Sequence, residues 1–235
     1  KRETDTMDSY ACSSWYLFRY TSAGDNQQAW DKNKADYWCP LDFYVGGDHA
    51  VAHLLYFRFW TKFFADHGYL GFSEPVKRLL YNGYINAPDG LKMSKSKGNV
   101  IDPLDVIDSG YGADTLRTYE MFIGPYELDA IWNTGGIGGV YRFLNRCWSL
   151  VQEYLEAKSA DKLVELDKAT QLELLRTEHA TIKKVTEDIY GAQFNTAVST
   201  LMEHLNNLTK LKTAGFDHRL WQAVLSSLCQ LLAPF

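Results

Sequence analysis

The sequence predicts an α/β fold in which a strand-containing segment precedes an all-α helical bundle. Residues 41–45 alternate between polar and apolar side chains before the break at Gly46-Gly47, a pattern that favours a short β-strand followed by a turn. Residues 49–64 contain neither glycine nor proline and are apolar on nearly every side, as expected of a buried helix in an α/β domain. Asp48 is a candidate N-cap for this helix.

Two further short elements are expected at residues 77–81 and 84–85. Ala87-Pro88-Asp89-Gly90 comes next, and this order of residues predicts a turn, because proline and glycine favour the required backbone angles. We therefore expect the strand-containing domain to cover residues 1–110.

After residue 110 the pattern becomes helical, and a second domain is expected over residues 111–235. Helices are predicted near 113–123 and 136–156, and Asp217 is a candidate N-cap for the last helix. The glycine-rich run 135–139 is expected to begin a helix rather than to bind a dinucleotide, because no strand precedes it within a βαβ unit. Three series of apolar residues spaced three or four apart predict a bundle with one buried stripe per helix: Leu172, Leu175, His179, Ile182, Val185 and Ile189; Phe194, Ala197, Leu201, Leu205 and Leu208; Leu220, Val224, Leu228 and Leu231.

The composition of the 235 residues, 46% hydrophobic and 23% charged, is that of a globular protein. The net charge of −5 argues against a broad basic face for nucleic acid, so any RNA contact should be local. No apolar run is long enough to span a bilayer, and the first residues lack an apolar signal core. The cysteines form no Cys-x-x-Cys pair, which argues against a zinc ribbon or a disulfide framework and fits a reducing cytoplasm: Cys12, Cys39, Cys147 and Cys229.

Residues 92–99 carry the strongest chemical signal. Three lysines, two serines and a glycine lie between hydrophobic flanks, so the segment cannot belong to a core. Mobile lysine ammonium groups can surround a polyphosphate and offset charge that moves onto a leaving group. The alternative for a basic loop of this kind is a solvated surface whose charge serves solubility alone.

The letters of this loop carry a resemblance to a known family. Lys92-Met93-Ser94-Lys95-Ser96 is identical to the KMSKS signature of class I aminoacyl-tRNA synthetases. Residues 2–7 (Arg-Glu-Thr-Asp-Thr-Met) and 13–20 (Ser-Ser-Trp-Tyr-Leu-Phe-Arg-Tyr) resemble the segment that re-enters the catalytic domain after the editing insertion in bacterial-type leucyl enzymes. Residues 111–117 and 141–146 resemble the beginning of that family's helical domain. The chain thus resembles the leucyl branch of class I over nearly its whole length.

This resemblance implies the C-terminal half of a Rossmann-type nucleotide-binding domain followed by an anticodon-binding-like helical bundle. It also implies the family's reaction: ATP and leucine give leucyl-adenylate and pyrophosphate, and the leucyl group then passes to tRNA(Leu), with Mg²⁺ accompanying the ATP. A monomeric, cytoplasmic ligase is expected. The family's other signature, His-x-Gly-His, does not occur in these residues. We therefore expect an internal part of a longer ligase, unable to activate leucine by itself.

Site residues follow from the same resemblance. It assigns catalysis to the signature loop, in which Lys95 stabilises the pyrophosphate, Lys92 assists, and the serines shape a mobile segment. It places the adenosine and aminoacyl site at a glycine–histidine stretch that is one residue shorter than the usual leucyl pattern. The implied catalytic residues are Lys92, Met93, Ser94, Lys95 and Ser96. The implied ATP and adenylate contacts are Gly46, Gly47, Asp48, His49, His53 and Lys95, and the implied amino-acid pocket consists of Ser13, Ser14, Tyr16 and His49.

Several alternatives stay open. Arg142 and Arg146 lie four apart on a predicted helix and could contact the tRNA backbone or form a solvated, ion-paired face. His49 and His53 also lie four apart, which permits a zinc pair or two hydrogen-bonded core histidines; Ala50 stands where a metalloprotease helix needs glutamate, and we assign no metal site. The alternative functions are a class I synthetase for Ile, Val, Met or Cys, a non-enzymatic helical RNA-binding module, and a zinc hydrolase built on His49 and His53.

Overall fold

The computed structural model describes residues 9–46 and 52–235, without the side chains of Ser9 and Cys12. The chain forms two compact units, of which the first ends at Asn82 and the second begins at Gly83. The domain boundary predicted between residues 110 and 111 stays a prediction. The division into units falls earlier because Met93 and Ile101 pack against Leu116, which belongs to a helix of the second unit.

The first unit combines short helices with one parallel strand pair. Residue 44 pairs with 79 and residue 45 with 80, and an isolated bridge joins Leu41 to Val76. The strand predicted at 41–45 is thus confirmed, although the regular pairing covers only its end. The predicted helix at 49–64 is described only from His53 onward, and the proposed Asp48 cap lies outside the described residues. The elements are α1 Ser9–Ser13, α2 Tyr16–Tyr20, α3 Lys32–Trp38, β1 Tyr44–Val45, α4 His53–Asp66 and β2 Leu79–Leu80.

Aromatic packing holds α2 against α4 in this unit. Phe18 is fully buried, and its ring centroid lies 5.4 Å from that of Trp30 and 5.9 Å from that of Phe57. Both ring pairs are tilted, and aromatic pairs at such centroid distances stabilise beyond the area they bury. The contact fixes the first turn of α2, which carries Tyr16, beside the first turn of α4, which carries His53.

The second unit begins with a small parallel pair and continues as helices. Residue 85 pairs with 130 and residue 86 with 131. The predicted turn at 87–90 is confirmed, because the Gly90 N–H donates to the Ala87 carbonyl at 2.8 Å. The elements are β3 Ile85–Asn86, a 3₁₀ turn Lys95–Lys97, α5 Pro103–Val106, a π turn Ile107–Tyr111, α6 Gly112–Phe122, β4 Ala130–Ile131, α7 Thr134–Ser159, α8 Lys168–Tyr190, α9 Phe194–Leu211 and α10 Leu220–Leu232.

The predicted helix positions in this unit are confirmed. The glycine run 135–139 lies in the first turns of α7, where the Asn133 side chain accepts the Gly135 N–H at 2.9 Å. Asp217 accepts the Trp221 N–H at 2.9 Å, so it satisfies one free donor at the start of α10, although the N-cap residue itself is Arg219.

The predicted stripe of α8 is confirmed in part, because Val185 is buried and Leu175, Ile182 and Ile189 are half-buried. Leu172 and His179 are exposed, whereas the helix buries Glu178 and Asp188. The buried acids have partners: Nε2 of His204 on α9 lies 3.0 Å from Oε2 of Glu178, and Nζ of Lys184 lies 2.5 Å from Asp188. Apolar spacing alone missed this part of the face because paired polar groups occupy it. The stripes of α9 and α10 are confirmed, with buried Ala197, Leu201, Leu205, Leu208, Val224 and Leu228.

The bundle core provides a stability test. Leu205 is fully buried, so Leu205→Ala should lower the free energy of unfolding by about 2–5 kcal/mol through lost burial and the cavity left behind. Leu172, on α8, is 49% exposed, and Leu172→Ala should change the free energy of unfolding by less than about 0.5 kcal/mol. Urea denaturation measures both variants. Equal losses at the two positions would contradict the assigned core.

A second prediction concerns the ion pairs that fix α4. Arg58 donates two hydrogen bonds to Glu74, at 2.8 and 2.6 Å, and Lys62 lies 2.8 Å from the same carboxylate. The bond from Arg58, followed by that from Lys62, lowers the pKa of Glu74 from 4.5 to about 2. A lowered pKa in the folded state means that this stabilisation is fully present above pH 4.5 and is lost as the pH falls toward 2.

Glu74→Gln should therefore destabilise the protein at neutral pH, by at most about 1 kcal/mol because the side chain is 41% exposed and solvent screens the charges. The gap between wild type and variant should close as the pH falls below 4.5. Denaturation at a series of pH values measures this difference in the free energy of unfolding. High salt should reduce the difference at neutral pH. A gap that widens in acid would show that the linkage has the opposite sign.

Candidate functional site

The signature loop forms a tight turn whose tip is exposed. After Ser94 the chain enters the 3₁₀ turn, in which the Lys97 N–H donates to the Ser94 carbonyl at 3.1 Å. Gly98 ends the turn in the left-handed region, with φ of 67°, a conformation that favours glycine. Lys95, Ser96 and Lys97 are all exposed at this tip.

The base of the loop is packed, in contrast to its tip. The Met93 side chain is half-buried and lines a small cavity of about 100 Å³ together with Ile85, Ile101 and Trp132. Nζ of Lys92 lies 4.0 Å from the ring centroid of Tyr84, a cation–π distance. The loop therefore starts from fixed positions before it reaches its exposed turn.

The five predicted catalytic residues thus occupy different environments. Lys95 and Ser96 lie at the tip, Met93 is a packing residue, and Lys92 lies over an aromatic ring. The hydroxyls of Ser94 and Ser96 are 2.8 Å apart and hydrogen-bonded, which supports their predicted role in shaping the turn. Within the described residues, Lys95 forms no ion pair, so its ammonium group is available to an anion.

No functional role was predicted from the sequence for Tyr84, Asp89 or Asn99. The Asn99 carboxamide accepts the Ser94 N–H at 2.9 Å, and Asp89 accepts the Leu91 N–H at 2.9 Å. The available signal was the residue type, because asparagine and aspartate commonly bond to nearby backbone groups in turns. That signal names candidates, but the partner depends on how the loop closes.

In the first unit, aromatic and histidine rings gather where α2, β1 and α4 meet. His53 is only 7% exposed, and its ring lies 6.0 Å from Tyr16, 6.0 Å from Tyr44 and 5.5 Å from Phe57, centroid to centroid. The hydroxyls of Tyr16 and Tyr44 are 3.3 Å apart. Burial, reinforced by this hydrogen bond, raises the pKa of Tyr16, so its phenol stays neutral and can donate or accept.

The other predicted contacts of this unit are only partly described. The Gly46 N–H donates to the Leu80 carbonyl at 3.1 Å, so strand pairing already uses this donor. Gly47, Asp48 and His49 lie outside the described residues, so of the alternative zinc pair only His53 is described. Across residues 9–46 and 52–235, no group of three or more His, Cys, Asp or Glu side chains is arranged to hold a metal ion.

The predicted serines of the amino-acid pocket bond locally. The Ser14 hydroxyl is buried and donates to the Tyr10 carbonyl, and the Ser13 hydroxyl donates to the same oxygen at 3.2 Å. Of the described members of this set, Tyr16 is the one that reaches the ring cluster around His53. A contact between either serine and leucine stays a prediction.

The two predicted tRNA-contacting arginines are exposed on α7. Arg146 donates to Asn206 at 2.9 Å and to Thr209 at 3.4 Å, so it also links α7 to α9. Arg142 is one turn earlier on the same helix. A contact between either arginine and tRNA stays a prediction.

A larger cavity, of about 710 Å³, lies elsewhere in the first unit. Its walls are mainly aromatic and include none of the predicted site residues. The lining side chains include Trp15, Trp30, Trp60, Phe63, Phe64 and Tyr69.

Comparison with known proteins defines the class to which this fold and lysine loop belong. The family described as tRNA synthetases class I (I, L, M and V) matches residues 1–132, more than half of the chain, and the chain belongs to this family. Within it, the whole chain is similar to leucine–tRNA ligases, which confirms the predicted resemblance to the leucyl branch. The ligase of Dehalococcoides mccartyi is 47% identical over 100% of this chain, and that of Thermotoga maritima is 44% identical over 100%.

Two solved structures of aminoacyl-tRNA synthetases share the fold of this chain. The crystal structure of a ternary complex of Agrobacterium radiobacter K84 LeuRS with tRNA and LeuAMS is 34% identical, with a TM-score of 0.88 over 100% of this chain and 31% of that chain. The Mycobacterium tuberculosis methionyl-tRNA synthetase in complex with methionyl-adenylate has a TM-score of 0.64 at 19% identity, over 92% of this chain and 44% of that chain, and shows the fold alone. The predicted fold class, a Rossmann-type half followed by a helical bundle, is confirmed.

The chain spans less than a third of the length of the ligases it matches, 28% and 29% for the two named above. In the part of the chain that the structure describes, every helix is too short or too polar to cross a membrane.

Proposed function

We propose that this chain is the part of a leucyl-tRNA synthetase that neutralises pyrophosphate during leucine activation. In that reaction a leucine carboxylate oxygen bonds to the α-phosphorus of ATP while the bond to the leaving pyrophosphate breaks. The leucyl group then passes from the adenylate to the 3′-terminal adenosine of tRNA(Leu). The observation that carries the proposal is the exposed Lys95, which forms no ion pair with the described residues and lies at the tip of a loop with the KMSKS sequence. The chain around it is similar throughout to leucine–tRNA ligases.

The geometry of the loop suits charge compensation. Negative charge grows on the bridging oxygen as pyrophosphate leaves, and a positioned ammonium group lowers the energy of that state more than that of the ground state. The Lys95 ammonium has no competing carboxylate among the described residues, whereas Lys92 rests on the Tyr84 ring. We therefore assign the principal role to Lys95 and an assisting role to Lys92. Catalysis then depends on positioning and electrostatics, without a covalent enzyme intermediate.

The first unit would supply the contacts to the adenylate. Buried His53, flanked by the rings of Tyr16, Tyr44 and Phe57, offers an apolar wall with polar ring atoms, a composition that suits an aliphatic amino acid joined to a nucleotide. We propose ATP and adenylate contacts from Gly46, Gly47, Asp48, His49 and His53, and an amino-acid pocket from Ser13, Ser14, Tyr16 and His49.

Mg²⁺ would arrive with the ATP and supply further neutralisation of its phosphates. The loop is consistent with a metal held by the nucleotide, because its tip offers ammonium and hydroxyl groups, which suit phosphate oxygens, and no carboxylate ligand.

The tRNA in the LeuRS complex supports tRNA(Leu) as the partner of this chain, with Arg142 and Arg146 as candidate contacts. We further propose a monomeric, cytoplasmic enzyme.

The alternatives are less well supported. A synthetase for isoleucine, valine, methionine or cysteine would share the lysine loop, but the similarity at 44–47% identity over the whole chain is to leucine–tRNA ligases. A non-enzymatic helical RNA-binding module would leave the exposed Lys95 without a catalytic task.

The test is Lys95→Ala in the full-length protein that carries this chain. We expect kcat for leucine-dependent ATP–pyrophosphate exchange to fall by about 10²–10³-fold, because one donor to the developing charge is lost. The KM for leucine should change little, since the interaction acts mainly in the transition state. Lys183→Ala, which removes an exposed lysine from α8, is the matched control and should retain the wild-type rate.

Wild-type exchange with Lys95→Ala would contradict the catalytic role and favour the non-enzymatic module. Exchange driven by isoleucine, valine, methionine or cysteine instead of leucine would reassign the substrate while leaving the role of Lys95 intact.

A further inference from the structure

A single side chain joins the two ends of the signature loop. Oδ1 of Asn99 accepts the Ser94 N–H at 2.9 Å, across the exposed turn 95–97. Nδ2 of the same carboxamide lies 3.5 Å from the Lys92 carbonyl and 3.4 Å from Oδ2 of Asp89. The first of these bonds has ordinary geometry, and the other two are long, so the Ser94 bond should contribute most.

Asn99 also connects the loop to the turn before it. Oδ1 of Asp89 accepts the Leu91 N–H at 2.9 Å, while its other oxygen faces Nδ2 of Asn99. This turn directly follows β3 and is closed by backbone bonds between Ala87 and Leu91, at 2.9 Å, and between Gly90 and Ala87, at 2.8 Å. Together with the packed Met93, these contacts give the loop a fixed base.

The tip has fewer constraints. Lys95, Ser96 and Lys97 are exposed, and the bonds that shape the turn run within it, from Lys97 to Ser94 at 3.1 Å and from Gly98 to Lys95 at 3.3 Å. The bond from Ser94 to Asn99 is therefore the link through which the turn is oriented on its base. Without it, the turn could keep its internal shape and still change its direction.

We propose that Asn99 is a positioning residue for Lys95, and that Asp89 in turn orients the Asn99 carboxamide. This inference rests on the proposed function, because it assigns a task to a residue beside the lysine that meets pyrophosphate. Effective catalysis by a positioned charge depends on its being held close to the productive geometry. Asn99 acts through the loop backbone and does not itself contact the reacting atoms.

The chemistry of the pair explains why an amide faces a carboxylate. The amide offers both an acceptor for Ser94 and a donor for Asp89, whereas a carboxylate at residue 99 offers acceptors only and would face a second negative charge. Exchanging the two residues preserves the donor–acceptor sequence and the net charge. The exchanged pair gives up the contact with the Lys92 carbonyl, the longest of the three, and places a carboxylate oxygen toward that carbonyl, so its rate should fall somewhat short of the wild-type rate.

The experiment compares N99A, N99D and the double variant D89N/N99D in the full-length protein. Leucine-dependent ATP–pyrophosphate exchange is measured per active site, titrated by the burst of ATP consumption, so that partial unfolding does not lower the apparent kcat. We expect N99A to lower kcat by about 10–100-fold with little change in the KM for leucine, because the loss is one of positioning. N99D should also be slow, and D89N/N99D should recover most of the wild-type rate.

Asn145→Ala is the matched control. This exposed asparagine on α7 donates to the Tyr141 carbonyl at 2.8 Å. The variant therefore removes a comparable bond from a side chain to the backbone, at a position remote in sequence from the signature loop, and kcat should not change. Hydrogen exchange at the Ser94 amide gives a second readout and should accelerate in N99A but not in N145A.

The outcomes separate the inference from the proposed function when K95A is assayed alongside. A slow K95A with wild-type rates for N99A overturns the inference and leaves the function standing. A double variant no faster than N99D also overturns it. Wild-type exchange by K95A overturns the proposed function itself, whatever the behaviour of residue 99.

Discussion

The signature loop is separated into a packed base and an exposed tip, and the rest of the site depends on this separation. An ammonium group stabilises a leaving pyrophosphate only if it is free of other anions and also held near the place where charge appears. In this chain Met93 packs against the apolar cluster of the second unit, while Lys95 projects into solvent from a short turn. Burial of the lysine would cost its hydration, and a loop without an anchor would lose its direction.

The helical bundle shows how the same chain accommodates polar groups where burial is required. His204 and Glu178 are almost fully buried and approach each other to 3.0 Å between α9 and α8. A buried polar group is costly unless it has a partner, so these groups favour one register of the two helices over arrangements that leave either residue alone. Arg146, bonded to Asn206 and Thr209, adds a link between α7 and α9 near the surface.

Much of the fold and part of the candidate site could be predicted from the sequence, for reasons that differ between residues. Lys92 to Ser96 match a family signature letter for letter, and the glycines of α7 and the hydrogen bond that Asp217 accepts at the start of α10 follow from local backbone chemistry. The burial of Glu178 on α8 could not be predicted, because periodicity counts apolar residues and Glu178 is buried beside its partner on α9. The bond from Ser94 to Asn99 was hidden for a similar reason: a side chain's choice of backbone partner is set by loop closure.

The most direct measurement uses an ATP analogue with an aldehyde at the end of its phosphate chain. The aldehyde condenses with a nearby lysine amine, borohydride fixes the product, and peptide mapping identifies the modified residue in the full-length protein. We expect labelling chiefly at Lys95, and an excess of ATP should suppress it. Labelling spread over the exposed lysines of the bundle, without protection by ATP, would contradict the claim that this loop meets the phosphates.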